Sequence, residues 1–287
     1  MAISIIIFAV FISQIWLLSY YYPKQVTSRI SYVLEHYTPQ EYPKLYPEPP
    51  EKILKIKATY LRLNYLGILI GLIIVSYFGF IVEDFNNHLN VLDDIPLLYG
   101  MLQYTPVIYL ELRGRQQLKL MRKLNKITNR SAELQPRRLF NYIEKKYLVF
   151  AVSVYLIFVI FTLITSQFTF NAELGIKLVT VTGINILFIM LGAQNLYGKK
   201  RDPLQNHEDR EKQIQFTLQS FVFISIFMTI YIMAHSWLNQ HQLNYVEIIV
   251  NSLYFQVIAI YSLGLLIKRF NIKNVNFDAY RENHNAA

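Results

Sequence analysis

Apolar and polar positions alternate in long blocks rather than with the short periods of a soluble fold. Six stretches without a charge run from Ile3 to Tyr20, Leu63 to Val82, Tyr147 to Gln167, Leu178 to Tyr197, Ile214 to Met233 and Ile248 to Ile267. Each is near the roughly 20 apolar residues that a helix needs to cross a bilayer. A seventh, Ile95 to Leu110, is shorter and carries Pro96 and Pro106. By itself it fits a crossing, a re-entrant segment or an interfacial one equally well. The pattern predicts an all-α membrane protein, one transmembrane domain over residues 1–287.

Composition agrees, and charge decides the weak stretch. Of the 287 residues, 53% are hydrophobic and 16% charged, with 28 Lys and Arg against 19 Asp and Glu. Basic residues close to spans favour the cytoplasmic side. They fall in four groups: Lys24 to Arg62, Arg113 to Lys146, Lys199 to Lys212, and Lys268 to Arg281. If Ile95 to Leu110 crosses, all four share one face and only Lys177 remains opposite, among Glu83, Asp84, Asp93, Asp94, Glu173 and Glu247. If it does not, one of the two largest groups must be translocated. Seven transmembrane helices are therefore expected, N-terminus outside and C-terminus cytoplasmic, in a membrane of the bacterial inner type. The first stretch lacks a basic start and a small-residue cleavage site, and runs into Tyr20, Tyr21, Tyr22, Pro23 and Lys24, the pattern of a retained anchor.

Two basic-face segments carry candidate docking features. In residues 23–62, Val26, Ile30, Val33, Leu34 and Tyr37 share one helical face, a short amphipathic helix at the membrane surface. Pro39, Pro43, Pro47, Pro49 and Pro50 follow and exclude a helix until Pro50-Glu51 restarts one. Tyr42-Pro43 and Tyr46-Pro47 repeat at an interval of four, an extended strap that could dock on the chain's own loops, the preferred reading, or on a protein partner. In residues 113–146, Arg115, Lys119, Arg122, Lys123, Lys126 and Arg130 recur at helical spacing, with Leu118, Met121 and Leu124 on another side. Such a face suits anionic lipid headgroups, at about 1 kcal/mol per base, or an acidic partner. Setting orientation alone also explains it. Nucleic acid is not expected, because no stacking pattern or reading module accompanies the charge.

Gln135-Pro136-Arg137-Arg138-Leu139-Phe140 reads as the opening of the fourth helix, with Arg137 and Arg138 at headgroup level as phosphate ligands or plain anchors. The segment from Glu133 to Phe140 resembles uncharacterised bacterial inner-membrane proteins, a resemblance that implies no activity. Asp202-Pro203 reads as the cap and first turn of the next helix. His207, Glu208 and Glu211 near its start would offer a hard metal or acid-base set, against the simpler alternative of local ion pairs such as Glu208 with Lys212.

The spans themselves hold little chemistry. No Asp, Glu, Lys, Arg or His falls inside the seven stretches, which weighs against a buried proton relay, and a retinal-type Schiff base has no lysine to use. The polar groups are uncharged: Gln103 and Tyr104, Thr180, Thr182 and Asn185, Gln219, Ser220 and Ser225, Asn251, Ser252 and Gln256. Asn185, Asn251 and Gln256 are candidates for lining a solute path, although helix packing is the simpler use of such groups. His88, His235 and His241 are placed outside near Asp84, Asp93 and Asp94, without a compact metal spacing. There is no cysteine, and no phosphate loop, nucleotide fingerprint or nucleophile elbow. The expectation is a non-enzymatic binding, scaffold or accessory membrane protein without a cofactor. The alternatives are a transporter or channel for a neutral or amphipathic solute, and an enzyme acting on lipid headgroups through Arg137, Arg138 and His207, Glu208 or Asp209.

Overall fold

The structure is a computed structural model that describes residues 2–81, 94–124, 137–198, 202 and 204–281. His88, Asp84, Asp93, Lys126, Arg130, Pro203 and the stretch from Glu133 to Pro136 lie outside the described residues. Among those described, every regular element is a helix. Six helical runs are long and apolar enough to cross a membrane. The chain divides into two compact units, residues 1–130 with 200–206 and 244–287, and residues 131–199 with 207–243.

In the first unit, α1 (Ala2–Ile15) passes through a π-helical turn (Trp16–Tyr21) into α2 (Tyr22–His36). Pro23 has no N–H for the carbonyl four residues back, and the Tyr22 N–H reaches Leu17 O, so the run widens by one residue instead of ending. The amphipathic stretch is thus a continuation of the first apolar helix rather than a separate piece. After the proline strap, α3 (Pro50–Ile81) starts at the proline suited to a first turn. The weak stretch forms α4 (Ile95–Gln103) and the start of α5 (Thr105–Leu124), divided at Tyr104 because Pro106 cannot donate to the carbonyl of Leu102. The last run is α9 (Asn244–Ala259), a second π-helical turn (Ile260–Gly264) and α10 (Leu265–Arg269). Arg29 on α2 donates to Ile267 O at 2.8 Å and to Phe270 O, satisfying carbonyls at that helix end.

Packing in this unit proceeds in layers. Ile7, Phe78 and Ile248 form one buried cluster with Ile95 against it. Phe11, Ile15 and Tyr99 form the next. Leu18, Tyr22, Phe255 and Ala259 form a third, with Leu97 and Tyr104. Two glycines permit the approach of α4. A Cβ on Gly100 would lie 2.1 Å from the Phe255 ring, and one on Gly71 2.4 Å from the Tyr99 hydroxyl, which donates to Gly67 O at 2.8 Å.

The second unit comprises α6 (Lys145–Thr165), α7 (Ala172–Tyr197) and α8 (His207–Gln240). Two helix starts differ from those expected. Arg138 is extended and Leu139–Asn141 is a single 3-10 turn, so α6 begins at Lys145 and not within the Gln135 to Phe140 segment. Burial of Tyr142 and Ile143 against Leu196, Ile214 and Leu218 holds that turn. Asp202 does not cap α8, which begins at His207. Its carboxylate instead accepts from the Leu204 N–H at 2.9 Å and from the Tyr280 hydroxyl, a local turn of the kind short acidic side chains favour.

Candidate functional site

The strongest site in the first unit is a basic groove. α5 lies along α3, and the start of α3 together with one face of α5 encloses an open cavity of about 830 Å³. Lys52 and Lys55 come from α3, and Arg113, Lys119, Arg122 and Lys123 from α5, while among the described residues Glu48 is the sole carboxylate in the lining. Glu48 pairs with Lys52 at 2.7 Å. Tyr109 lies under the Arg113 guanidinium at 5.4 Å, and Arg113 also donates to Gln116 at 3.1 Å. Six cations facing one carboxylate across a concave wall repel one another within the ~8–10 Å over which charge acts at physiological salt, so an anion seated there relieves repulsion as well as gaining attraction.

The strap positions this face. Tyr42 is 6% exposed and clusters with Met121 of α5 and Tyr280 of the C-terminal segment, with Leu118, Leu45, Leu204 and Phe277 around them. Arg281 donates to the Tyr42 hydroxyl from Nη2 at 2.8 Å and from Nε at 3.1 Å, lies over its ring at 5.1 Å, and pairs with Glu41 at 2.9 Å. Tyr46 donates to Tyr37 O, and burial pushes its phenol up from 10.0. Pro43 opens a 3-10 turn to Leu45, and Pro47 follows Tyr46 before α3. Tyr42 is therefore covered by the chain's own segments: strap and C-terminal segment hold the apolar side of α5, leaving its basic side for the groove.

Of the expected lipid or phosphate contacts, Lys119 and Arg122 line the groove and Arg115 does not. It pairs with Glu111 at 2.9 Å elsewhere on α5. Arg137 and Arg138 belong to the second unit. Arg137 donates to Leu196 O at 3.1 Å, near the carbonyl end of α7, and Arg138 is exposed. The proposed metal or acid-base group separates into two exposed pairs, His207 with Glu211 at 3.6 Å and Glu208 with Lys212 at 2.6 Å. The hydrogen bond from Lys212 holds the Glu208 carboxyl below its usual range. Among the described residues no group of three His, Asp or Glu side chains is placed to hold a metal ion.

The candidate lining residues also part. Asn185 lies in the second unit, where it donates to Val181 O at 3.0 Å and accepts from Ser225. Asn251 and Gln256 lie on α9 in the first unit, Asn251 fully buried and Gln256 within a polar seam. Gln14, fully buried, donates to Gln103 Oε1 at 2.9 Å and accepts from Ser252 at 2.6 Å. Gln103 donates to Ser19 at 2.8 Å, Ser13 to Gln256 at 3.1 Å, and Gln256 to Val10 O at 3.1 Å. Among the described residues every buried side-chain nitrogen and oxygen has a partner. A seam so satisfied fixes α1, α4 and α9 in register. His235 lines a separate cavity of about 720 Å³ in the second unit with Lys177, Glu173 and Ser236; Lys177 pairs with Glu173 at 2.7 Å and donates to Ser236 at 3.1 Å.

Sequence reasoning missed Lys52, Lys55 and Arg113 as groove residues, and Ser13, Gln14 and Ser19 as seam residues. Gln103, Ser252 and Gln256 were visible as polar groups inside apolar stretches, and the signal for their partner was Gln14 inside the first one. No protein-family model, curated protein or solved structure matches the chain.

Proposed function

We propose that the chain is a seven-crossing membrane protein whose basic face is cytoplasmic, and that it acts without catalysis as a binding or scaffold protein, capturing anionic groups in the groove of α3 and α5. The seventh crossing is supported by register: α4 begins beside the layer of Ile7, Phe78 and Ile248, and α5 reaches the level of Lys52 beyond the apolar part of α3. From Ile95 to Arg113 the helices rise about 27 Å, close to the hydrocarbon thickness of a bilayer. The one-sided placement of the bases supports the orientation.

The observation that carries the binding role is the gathering of cations from two distant segments around one concavity. Its natural occupants are phosphate-bearing lipid headgroups or an acidic stretch of a partner protein. The test uses a water-soluble polyanion, inositol hexakisphosphate, titrated calorimetrically into the purified full chain. Binding is expected to weaken steeply as added salt shortens the Debye length from about 10 Å to about 3 Å. It is also expected to fall at least tenfold in a variant with Lys52, Lys55, Arg122 and Lys123 all replaced by Gln. Equal affinity in that variant overturns the reading.

A further inference from the structure

We infer that the cleft of α6, α7 and α8 seats one acyl chain of an anionic phospholipid. α8 lies along both other helices, and α6 and α7 leave between them a cavity of about 430 Å³. Its wall is formed by Leu148, Ala151, Ile189, Ala193, Leu218 and Phe221, among others. Apart from Tyr197 at the exposed rim, the polar side chains in it are turned on one another: the Tyr155 and Thr182 hydroxyls lie 2.7 Å apart, Ser225 donates to Asn185, and Asn185 donates to its own helix. With these valences occupied, the wall offers an incoming molecule dispersion contacts and little to hydrogen-bond.

Shape and charge select the occupant. The rim is exposed and apolar, with Ile189 70% and Tyr197 68% exposed, so a membrane-embedded unit opens this cleft to lipid tails. The volume lies within the roughly 300–1,000 Å³ of single-ligand sites, whereas one turn of a helix about 10 Å wide would already fill it, so it is too small for a partner helix. At one end the lining includes Leu139 and Leu196, and there Arg137 donates to Leu196 O. Arg138 is exposed beside it, and Lys145 lies over the Phe140 ring at 5.3 Å. An apolar slot ending in guanidinium and ammonium groups matches a hydrocarbon chain joined to a phosphate. Gly192 contributes by its lack of a side chain: a Cβ there would press on Leu218 at 3.2 Å. The inference rests on α6 to α8 spanning the membrane and is independent of the groove in the first unit.

The test is photo-crosslinking of the full chain, reconstituted in phosphatidylcholine vesicles that contain phosphatidylglycerol with a diazirine on one acyl chain, followed by peptide mapping. Crosslinks are expected on Ala151, Ile189 and Phe221 in preference to other lipid-facing positions. They should fall at least tenfold in Ala151→Trp and Ala193→Trp, each of which fills the slot. Arg137→Gln with Arg138→Gln should lower the preference over diazirine-labelled phosphatidylcholine about fivefold per cation removed. Crosslinks spread evenly over all apolar helices, equal capture of both lipids by the native chain, or peptides from a second copy in the slot would each overturn the inference. The native-chain map needs no variant to fold, and the soluble polyanion binding stays unchanged in Ala193→Trp whichever way this test falls.

Discussion

Replacing Gln14 with Leu tests how the first unit is held together. Gln14 makes two side-chain hydrogen bonds, to Gln103 on α4 and from Ser252 on α9, in a fully buried position. Bonds of this type between membrane helices contribute roughly 0.6 kcal/mol on average and up to about 1.7, so Gln14→Leu should cost about 1–3 kcal/mol. Gln103→Leu should cost a similar amount, since it removes the bonds to Gln14 and Ser19. Because the two residues share one bond, the double variant should be less destabilised than the sum, by about 0.6–1.7 kcal/mol. The assay is reversible unfolding in mixed micelles, followed by circular dichroism at fixed lipid-to-detergent ratio. Additivity within about 0.3 kcal/mol would refute the placement of α4 against α1.

Other outcomes follow from local geometry. Gly100→Ala should destabilise by about 1–3 kcal/mol through overpacking on Phe255, with partial recovery when Phe255→Leu is added; thermal melts of the three variants check it. Tyr42→Ala should release the C-terminal segment to protease and weaken polyanion binding in the groove, and Tyr42→Phe, which keeps the ring in the Met121 cluster and under Arg281 but loses the two bonds to its hydroxyl, should do so to a smaller extent. Burial raises the Tyr46 phenol above 10.0, so the stability it contributes is complete below that pH and is lost as pH rises through the folded value; Tyr46→Phe should shrink this alkaline loss in a pH series of melts. His207→Ala should change stability by no more than about 0.5 kcal/mol, measured in the same melts, because its pairing with Glu211 is long and exposed.

The apolar blocks and Pro50 were legible in the sequence because span length and proline chemistry act locally. Pro106 likewise marks the division between α4 and α5, since a missing N–H acts within one turn. The groove was legible only in half. Helical spacing brings Lys119 and Arg122 together, but Lys52 and Lys55 join them through the packing of α3 on α5, which no local period encodes. Arg115 has the same spacing but lies outside the groove lining, where it pairs with Glu111 one turn earlier on α5. The seam was hidden for a related reason: Gln14 and Gln103 are 89 positions apart, and each alone resembles an ordinary polar residue in an apolar helix. The starts at Lys145 and His207 differ from expectation because tertiary burial of Tyr142 and Ile143, and the turn at Asp202, outweigh the proline-based start signals.

Sidedness across α4 and α5 tests the central claim most directly, and a chain without cysteine suits it. Glu51→Cys in the first turn of α3, Gln116→Cys on α5 and Phe170→Cys between α6 and α7 would each be treated, in intact cells, with a maleimide that cannot cross membranes. Seven crossings require Glu51→Cys and Gln116→Cys to react only after permeabilisation, and Phe170→Cys to react from outside. Labelling of the residue-51 and residue-116 sites from opposite sides would contradict the account.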